Sequence, residues 1–287
     1  MVNRFAAAVH GVNPANLVVA GGTAPFGQWN HAAPLRFMRE LLCMSPPPHR
    51  PVCAARTEFD VWAHHPYTSG PPTRRAFGRE DVSLGDLPEM RRLLRAAVAS
   101  GRVVSKGNVR FWVTEFSWDT DPPDRYGVPT RLHARWVSEA LYRMWRSGVS
   151  SVAWFLVTDG PTPGLYQSGL HFADGRRKLA FQAFRFPFVA FVESRRVLVW
   201  GRVPPGQAGA VVVEHRRRGA WKPVTRLATD AHGVFVRRLR APLRGSLRAR
   251  AVAASELSRP FSLARPRTCF ANAFGNVPPP PLLRPVC

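Results

Sequence analysis

The chain has 287 residues, enough to bury a sizeable core in one or two domains. With 45% apolar residues and 9 Trp it belongs with folded proteins and not with disordered ones. The formal net charge of +23 is nearly all arginine, since only Lys106, Lys178 and Lys222 are lysines, and the arginines are spread along the chain, densest at 216–218 and 237–250. That spread reads as compositional bias with non-specific affinity for polyanions, and it argues against a dedicated, specific nucleic-acid surface.

Residues 5–9 read as the tail of a helix closed by Gly11 and Pro14, with no capping residue ahead of it. Residues 16–20 (NLVVA) read as a short buried strand running into the loop GGTAPFG, whose glycines form neither GxGxxG nor a P-loop. Residues 34–44 predict an amphipathic helix with Pro34 in its first turn. Residues 59–63 (FDVWA) predict the next buried strand, ending in His64, His65, Pro66 and Tyr67. A long loop leads to a helix over 87–100, closed by Gly101.

The stretch 109–121 (VRFWVTEFSWDTD) opens as a near-continuous apolar run, the pattern of a strand buried on both faces of a parallel sheet. It ends on Glu115, with Trp118, Asp119 and Asp121 in the loop that follows. Residues 129–147 predict a helix with Leu132, Trp136, Val137, Ala140, Leu141, Met144 and Trp145 on one face, ended by Gly148. Residues 149–157 (VSSVAWFLV) read as a fourth buried strand running into a polar loop over 158–169, and a helix over 177–186 closes the region. Strand and helix alternate four times, which predicts parallel βα units of the α/β class.

From about residue 193 the pattern becomes short, partly alternating strands about 10–12 residues apart, the rhythm of a small all-β sandwich. The expected division is an α/β region over 1–192, a β-sandwich over 193–264 and an irregular Pro-rich tail over 265–287. Cys43 and Cys53 bracket the proline-rich turn SPPPHRPV and stand either as a disulfide or as two unpaired thiols; Cys269 and Cys287 are equally open. No CxxC pair is present, which weakens zinc and thioredoxin-like readings. No apolar run approaches the about 18 residues of a membrane span, and the first residues lack both the apolar core and the cleavage site of a signal peptide.

Parallel strands carry their chemistry at their C-terminal ends. Here those ends hold Gly21 and Gly22; His64, His65 and Tyr67; Glu115 and Trp118; and Trp154 with Asp159. A carboxylate, a Tyr–His pair and several Trp suit a sugar site, where rings stack on indoles and the carboxylate attacks the anomeric carbon. The plainer alternative has the histidines bonded to backbone, Trp154 packed in a core and Glu115 paired with an arginine such as Arg110. No HExxH is present, and no metal or cofactor is expected.

The segments FDVWAHHPY, VRFWVTEFSWDT and WFLVTD…YQSGL, taken together, resemble the second half of the clan A (β/α)8 retaining glycoside hydrolases. The likeness is nearest to the secreted actinobacterial cellulase-like group related to families 5 and 39. It covers roughly residues 1–191 and implies strands 5–8 of a TIM barrel followed by the β-rich domain. It implies Glu115 as nucleophile, His65 and Tyr67 as its positioning shell, Trp154 and Trp118 as sugar platforms and His64 as a further substrate contact. It also implies a β-linked oligo- or polysaccharide substrate, no cofactor, and an extracellular location. The acid/base Glu of the family follows its fourth strand, which would lie ahead of Met1. The chain therefore reads as a shortened or late-started frame, inactive by itself and prone to associate through open barrel edges. The rival readings are a non-catalytic carbohydrate-binding protein and an Arg-rich polyanion binder.

Overall fold

The computed structural model describes residues 1–28, 31–162 and 165–264, so the expectations for the tail, Cys269 and Cys287 lie outside the described residues. In chain order the elements are α1 (Val2–Val12), β1 (Val19–Thr23), α2 (Pro34–Leu41), β2 (Thr57–Glu58), β3 (Val61–His64), α3 (Leu87–Ala99), β4 (Val103–Val104) and β5 (Arg110–Phe116). Then come β6 (Thr120–Asp121), β7 (Val128–Pro129), α4 (Thr130–Arg146), β8 (Ser151–Trp154) and α5 (Leu179–Arg185). The last strands are β9 (Phe188–Glu193), β10 (Arg196–Arg202), β11 (Ala210–Arg217), β12 (Ala220–Ala228), β13 (Val234–Leu239), β14 (Ser246–Ala251) and β15 (Phe261–Ser262). Contacts divide the chain into two compact units, neither a continuous stretch: Met1–Ser117 with Arg143–Phe155, and Trp118–Tyr142 with the described part of Leu156–Cys287.

The first unit is built on a four-stranded parallel sheet of order β1-β3-β5-β8. Its inner strand β3 is buried throughout, as a Val/Trp-rich run should be when helices cover a sheet on both faces. Helix α3 turns Leu87, Met90, Leu93, Leu94 and Ala97 inward at helical spacing and stops before Gly101, whose φ of +69° suits only glycine without strain. Gly21 is the other glycine the fold requires: its φ is +92°, and a Cβ there would lie 2.4 Å from the Ala63 carbonyl oxygen. Asp60 gathers the N-terminal strand ends. It accepts the Val18 N–H at 2.9 Å and the Ser105 hydroxyl at 2.9 Å, and it bonds His10 Nε2 at 3.0 Å.

Three expectations change here. Residues 149–157 do not form a strand buried on both faces: β8 is only Ser151–Trp154, with Ser151 and Ala153 exposed and Val152 and Trp154 half-buried. The reason is position, because β8 is an outer strand with no further strand beside it among the described residues. The first strand likewise starts at Val19, itself exposed, and runs on through Gly21 and Gly22. In α4, Trp136, Val137, Ala140 and Met144 are buried as the spacing predicts, but Trp145 is exposed and His133, Ala134, Ser138 and Tyr142 are also buried, so more than one stripe of this helix is covered.

The second unit contains two antiparallel sheets, β13-β10-β9 and β12-β11-β14-β15. Val197, Val199, Phe188 and Phe235 of the first share one apolar core with Val211, Val213, Leu247, Ala249 and Phe261 of the second. The alternation in β14, where Leu247, Ala249 and Ala251 point inward, is what a sheet with one covered face dictates.

Cys43 and Cys53 are joined by a disulfide, with Cα atoms 5.4 Å apart. Closing a short loop in the unfolded chain is worth about 2–3 kcal/mol. The double variant Cys43→Ser, Cys53→Ser is therefore expected to lower the urea midpoint by that amount of stability with little change in slope. An unchanged midpoint would mean that the proline-rich turn is already ordered without the bridge.

Candidate active site

At the C-terminal end of β5, Glu115 is 31% exposed at its side chain and faces His65, 26% exposed, with Oε2 3.0 Å from the imidazole Nδ1. A carboxylate oxygen with no proton only accepts, so Nδ1 carries the hydrogen and donates. Burial holds His65 below the ordinary imidazole pKa, outweighing the pull of Glu115 in the other direction. The ring is thus neutral near pH 7, and its Nε2 accepts from the Thr114 hydroxyl at 3.0 Å. The backbone N–H of His65 in turn donates to the Thr23 carbonyl on β1 at 3.0 Å. Three neighbouring strands therefore fix one imidazole, and that imidazole orients one carboxylate.

The same strand ends carry a row of rings. Tyr67 stacks on Phe116 with centroids 5.9 Å apart, and Phe116 meets Trp154 edge-on at 5.9 Å. Tyr67 and Trp154 are half-buried. The carboxylate's recorded ion-pair partner is His65, whereas Arg110 sits exposed at the opposite end of the same strand.

Two sequence-predicted residues are placed elsewhere. His64 is fully buried, with Nε2 donating to the Val82 carbonyl at 2.8 Å and Nδ1 accepting from the Thr23 hydroxyl at 2.8 Å. Burial takes its pKa down to about 4, so it is a neutral cross-link with both ring nitrogens engaged and none left for a substrate. Trp118 is only 1% exposed, packed against Trp136 at 5.4 Å and edge-on to His133 at 6.3 Å. A ring so enclosed presents no face on which a sugar can stack. The placement of His64 follows from the alternation of side chains along a strand, which turns His64 inward and leaves its neighbour His65 half-exposed.

Thr114 and Thr23 were not foreseen from the sequence, because hydroxyls that serve an imidazole leave no spacing signature. A second polar centre, in the other unit, was also missed. Lys178, fully buried, donates to Asp159 Oδ1 at 2.6 Å, the Thr120 hydroxyl at 2.7 Å and the Gln167 carbonyl at 2.8 Å. Burial pushes Asp159 up and Lys178 down, each against the hold of its partner. A signal did exist: Lys178 is one of only three lysines in an arginine-rich chain, and a buried lysine marks a place where a compact ammonium fits and a planar guanidinium does not. Among the described residues no group of three or more His, Cys, Asp or Glu is arranged to hold a metal, and no helix is long and apolar enough to cross a membrane.

No family model matches the chain, and no curated protein matches it. Among solved structures it is similar to a family 39 glycoside hydrolase from the gut symbiont Bacteroides cellulosilyticus WH2, at 16% identity and a TM-score of 0.40, over 63% of this chain and 42% of that one. It is similar to a Paenibacillus polymyxa xyloglucanase from glycoside hydrolase family 44, at 10% identity and 0.35, over 83% of this chain and 58% of that one. A Parabacteroides merdae beta-glucuronidase aligns at 10% identity and 0.34, over 72% of this chain and 29% of that one. The chain thus spans 42% of the family 39 enzyme's length. At these scores the likenesses carry no weight for function, which rests on the residues.

Proposed function

We propose that this chain carries the nucleophile side of a retaining O-glycoside hydrolase acting on a β-linked oligo- or polysaccharide. The observation that carries the reading is the Glu115–His65 pair, a carboxylate held by an imidazole at a parallel strand end, in a sheet whose neighbouring strand ends also carry Tyr67, Phe116 and Trp154. In this reading a sugar ring lies against Trp154 and Tyr67. Glu115 attacks its anomeric carbon, a carbon–oxygen bond forms as the glycosidic bond breaks, and water later releases the sugar. The division into a partial (β/α)8 domain over 1–192 and a sandwich over 193–264 belongs to the same proposal. So does an extracellular location, which the Cys43–Cys53 disulfide supports. The outer strands β1 and β8 would then be the edges through which the chain associates.

Retention needs a second carboxyl group roughly 5–5.5 Å from the first, to protonate the leaving oxygen. Within the first unit every other carboxylate is engaged. Glu40 pairs with Arg36, Glu80 with Arg39 and Glu89 with Arg92, and Glu58 and Asp60 bond His10. Asp81 accepts the Gly27 N–H and Asp86 the Ala76 N–H. The chain by itself is therefore expected to hydrolyse ordinary glycosides poorly, since an acid/base contributes about 10²–10⁴-fold.

An activated substrate removes that requirement. A panel of 2-deoxy-2-fluoro β-glycosides with dinitrophenyl leaving groups should leave a covalent sugar on Glu115, read by peptide mass, and none on Glu115→Gln. Labelling at another residue would sink the assignment. The engaged carboxylates also favour the rival of a non-catalytic carbohydrate-binding protein; that rival predicts oligosaccharide affinity lost in Trp154→Ala, with no adduct from any member of the panel.

A further inference from the structure

At one end of the β13-β10-β9 sheet lies a cleft of about 580 Å³, lined by Arg195, Arg196, Arg240, Ala241 and Pro242. Arg195 follows the turn residue Ser194, Arg196 opens β10, and Arg240 directly follows β13. The register pairs Val197 with Leu239, which brings Arg196 and Arg240 to neighbouring positions on adjacent strands. Like charges so placed destabilise a sheet unless something neutralises them. The one carboxylate of these three strands is Glu193, which stands opposite Arg196 in the register and is ion-paired with Arg238 at 2.8 Å, so a single carboxylate faces more than one arginine. No carboxylate lines the cleft.

We propose that this cleft binds a sulfated polysaccharide, with the guanidinium groups of Arg195, Arg196 and Arg240 each taking a sulfate oxygen pair. Three arguments fix the ligand class. Guanidinium forks match the two-oxygen edge of an oxyanion, and arginine occupies all three charged positions. The lining holds no aromatic side chain, so nucleobases find no ring to stack on, whereas single-strand nucleic-acid grooves depend on such rings. The cleft's volume is within the size range of binding sites, and its three charges lie close together, as a chain carrying closely spaced charges requires. The proposal is independent of the hydrolase reading, because it uses none of the residues near Glu115.

The test is calorimetric titration of the full chain with heparin, with unsulfated hyaluronate and with duplex DNA, at several salt concentrations. The variant R195S/R196S/R240S removes the cleft charges, and R216S/R217S/R218S removes the same charge from the exposed end of β11 and the turn that follows it. All six arginines are exposed, so both variants should melt as the parent does; R240E alone serves as a second probe if the cleft variant does not. Heparin should lose on the order of tenfold or more in affinity in the cleft variant, and its salt slope should fall by roughly two to three. The turn variant should lose about threefold or less, and hyaluronate should bind far more weakly than heparin. Equal losses in both variants would overturn the proposal, since the charge would then act diffusely. DNA binding as tight as heparin and lost in the cleft variant would overturn it in favour of a nucleic-acid partner.

Discussion

Lys178→Met is expected to destabilise the protein by about 3–5 kcal/mol, the range for leaving one member of a buried ion pair without its partner. The ammonium spends its three N–H groups on Asp159, Thr120 and the Gln167 carbonyl, with both members of the pair fully buried at their side chains. Removing it strands the Asp159 charge in a place with no water to hold it. The double variant Lys178→Met, Asp159→Leu should recover most of the loss, because taking out both charges also takes out the cost of desolvating them. Lys178→Arg should not rescue the single loss, because a planar fork cannot reproduce three donors diverging from one nitrogen. Urea midpoints of the four proteins decide the matter. If Lys178→Met melts with the parent, the pair contributes nothing and the argument is wrong.

The second large effect is acid lability. Folded, His64 takes a proton only near pH 4 and His133 only near pH 3, both through burial, against 6.5 for an ordinary imidazole. Unfolding therefore binds protons as the pH drops below 6.5, and stability falls from there down to the folded values. By pH 4 each imidazole accounts for a loss of about 3 kcal/mol. Asp119 works in the opposite direction. Burial raises it to about 6 from 3.8, so the folded state binds its proton first, and acidification across that window returns roughly 2 kcal/mol. These three groups together account for a loss of about 4 kcal/mol between pH 7 and pH 4, read from urea midpoints. His133→Phe should make the pH dependence shallower whatever it does to stability at pH 7. A midpoint that stays level from pH 7 to pH 4 would refute the assignment of buried, neutral imidazoles.

The parts of this fold that periodicity writes were legible. Residues 61–63 and 111–113 are apolar runs within inner strands, and the helix over 87–99 shows its inward stripe at i, i+3, i+4 and i+7 from Met90. Their ends lie side by side in the sheet, which is why Glu115 and His65 were drawn together before any distance was known. What stayed hidden depends on neighbours distant in sequence. Residues 149–157 read as buried because Val, Trp and Phe follow one another, yet exposure there is set by the lack of an adjoining strand. Between His64 and His65, or between Trp118 and Trp154, composition is identical and only the direction of the side chain differs. A tryptophan in a core and one in a groove have the same spelling.

The His64 clasp has a consequence for how this molecule can vary. Its Nε2 holds the Val82 carbonyl 18 residues along the chain, and the Val82 N–H donates to the Pro25 carbonyl at 2.7 Å. The excursion between them thus leaves the sheet and returns to it at nearly one point, like a hem stitched at both ends. Doubling the length of such an excursion costs only about 0.6 kcal/mol of closure entropy. New sequence, even a small foreign module, can be spliced into it while the strand ends that carry His65 and Glu115 keep their places.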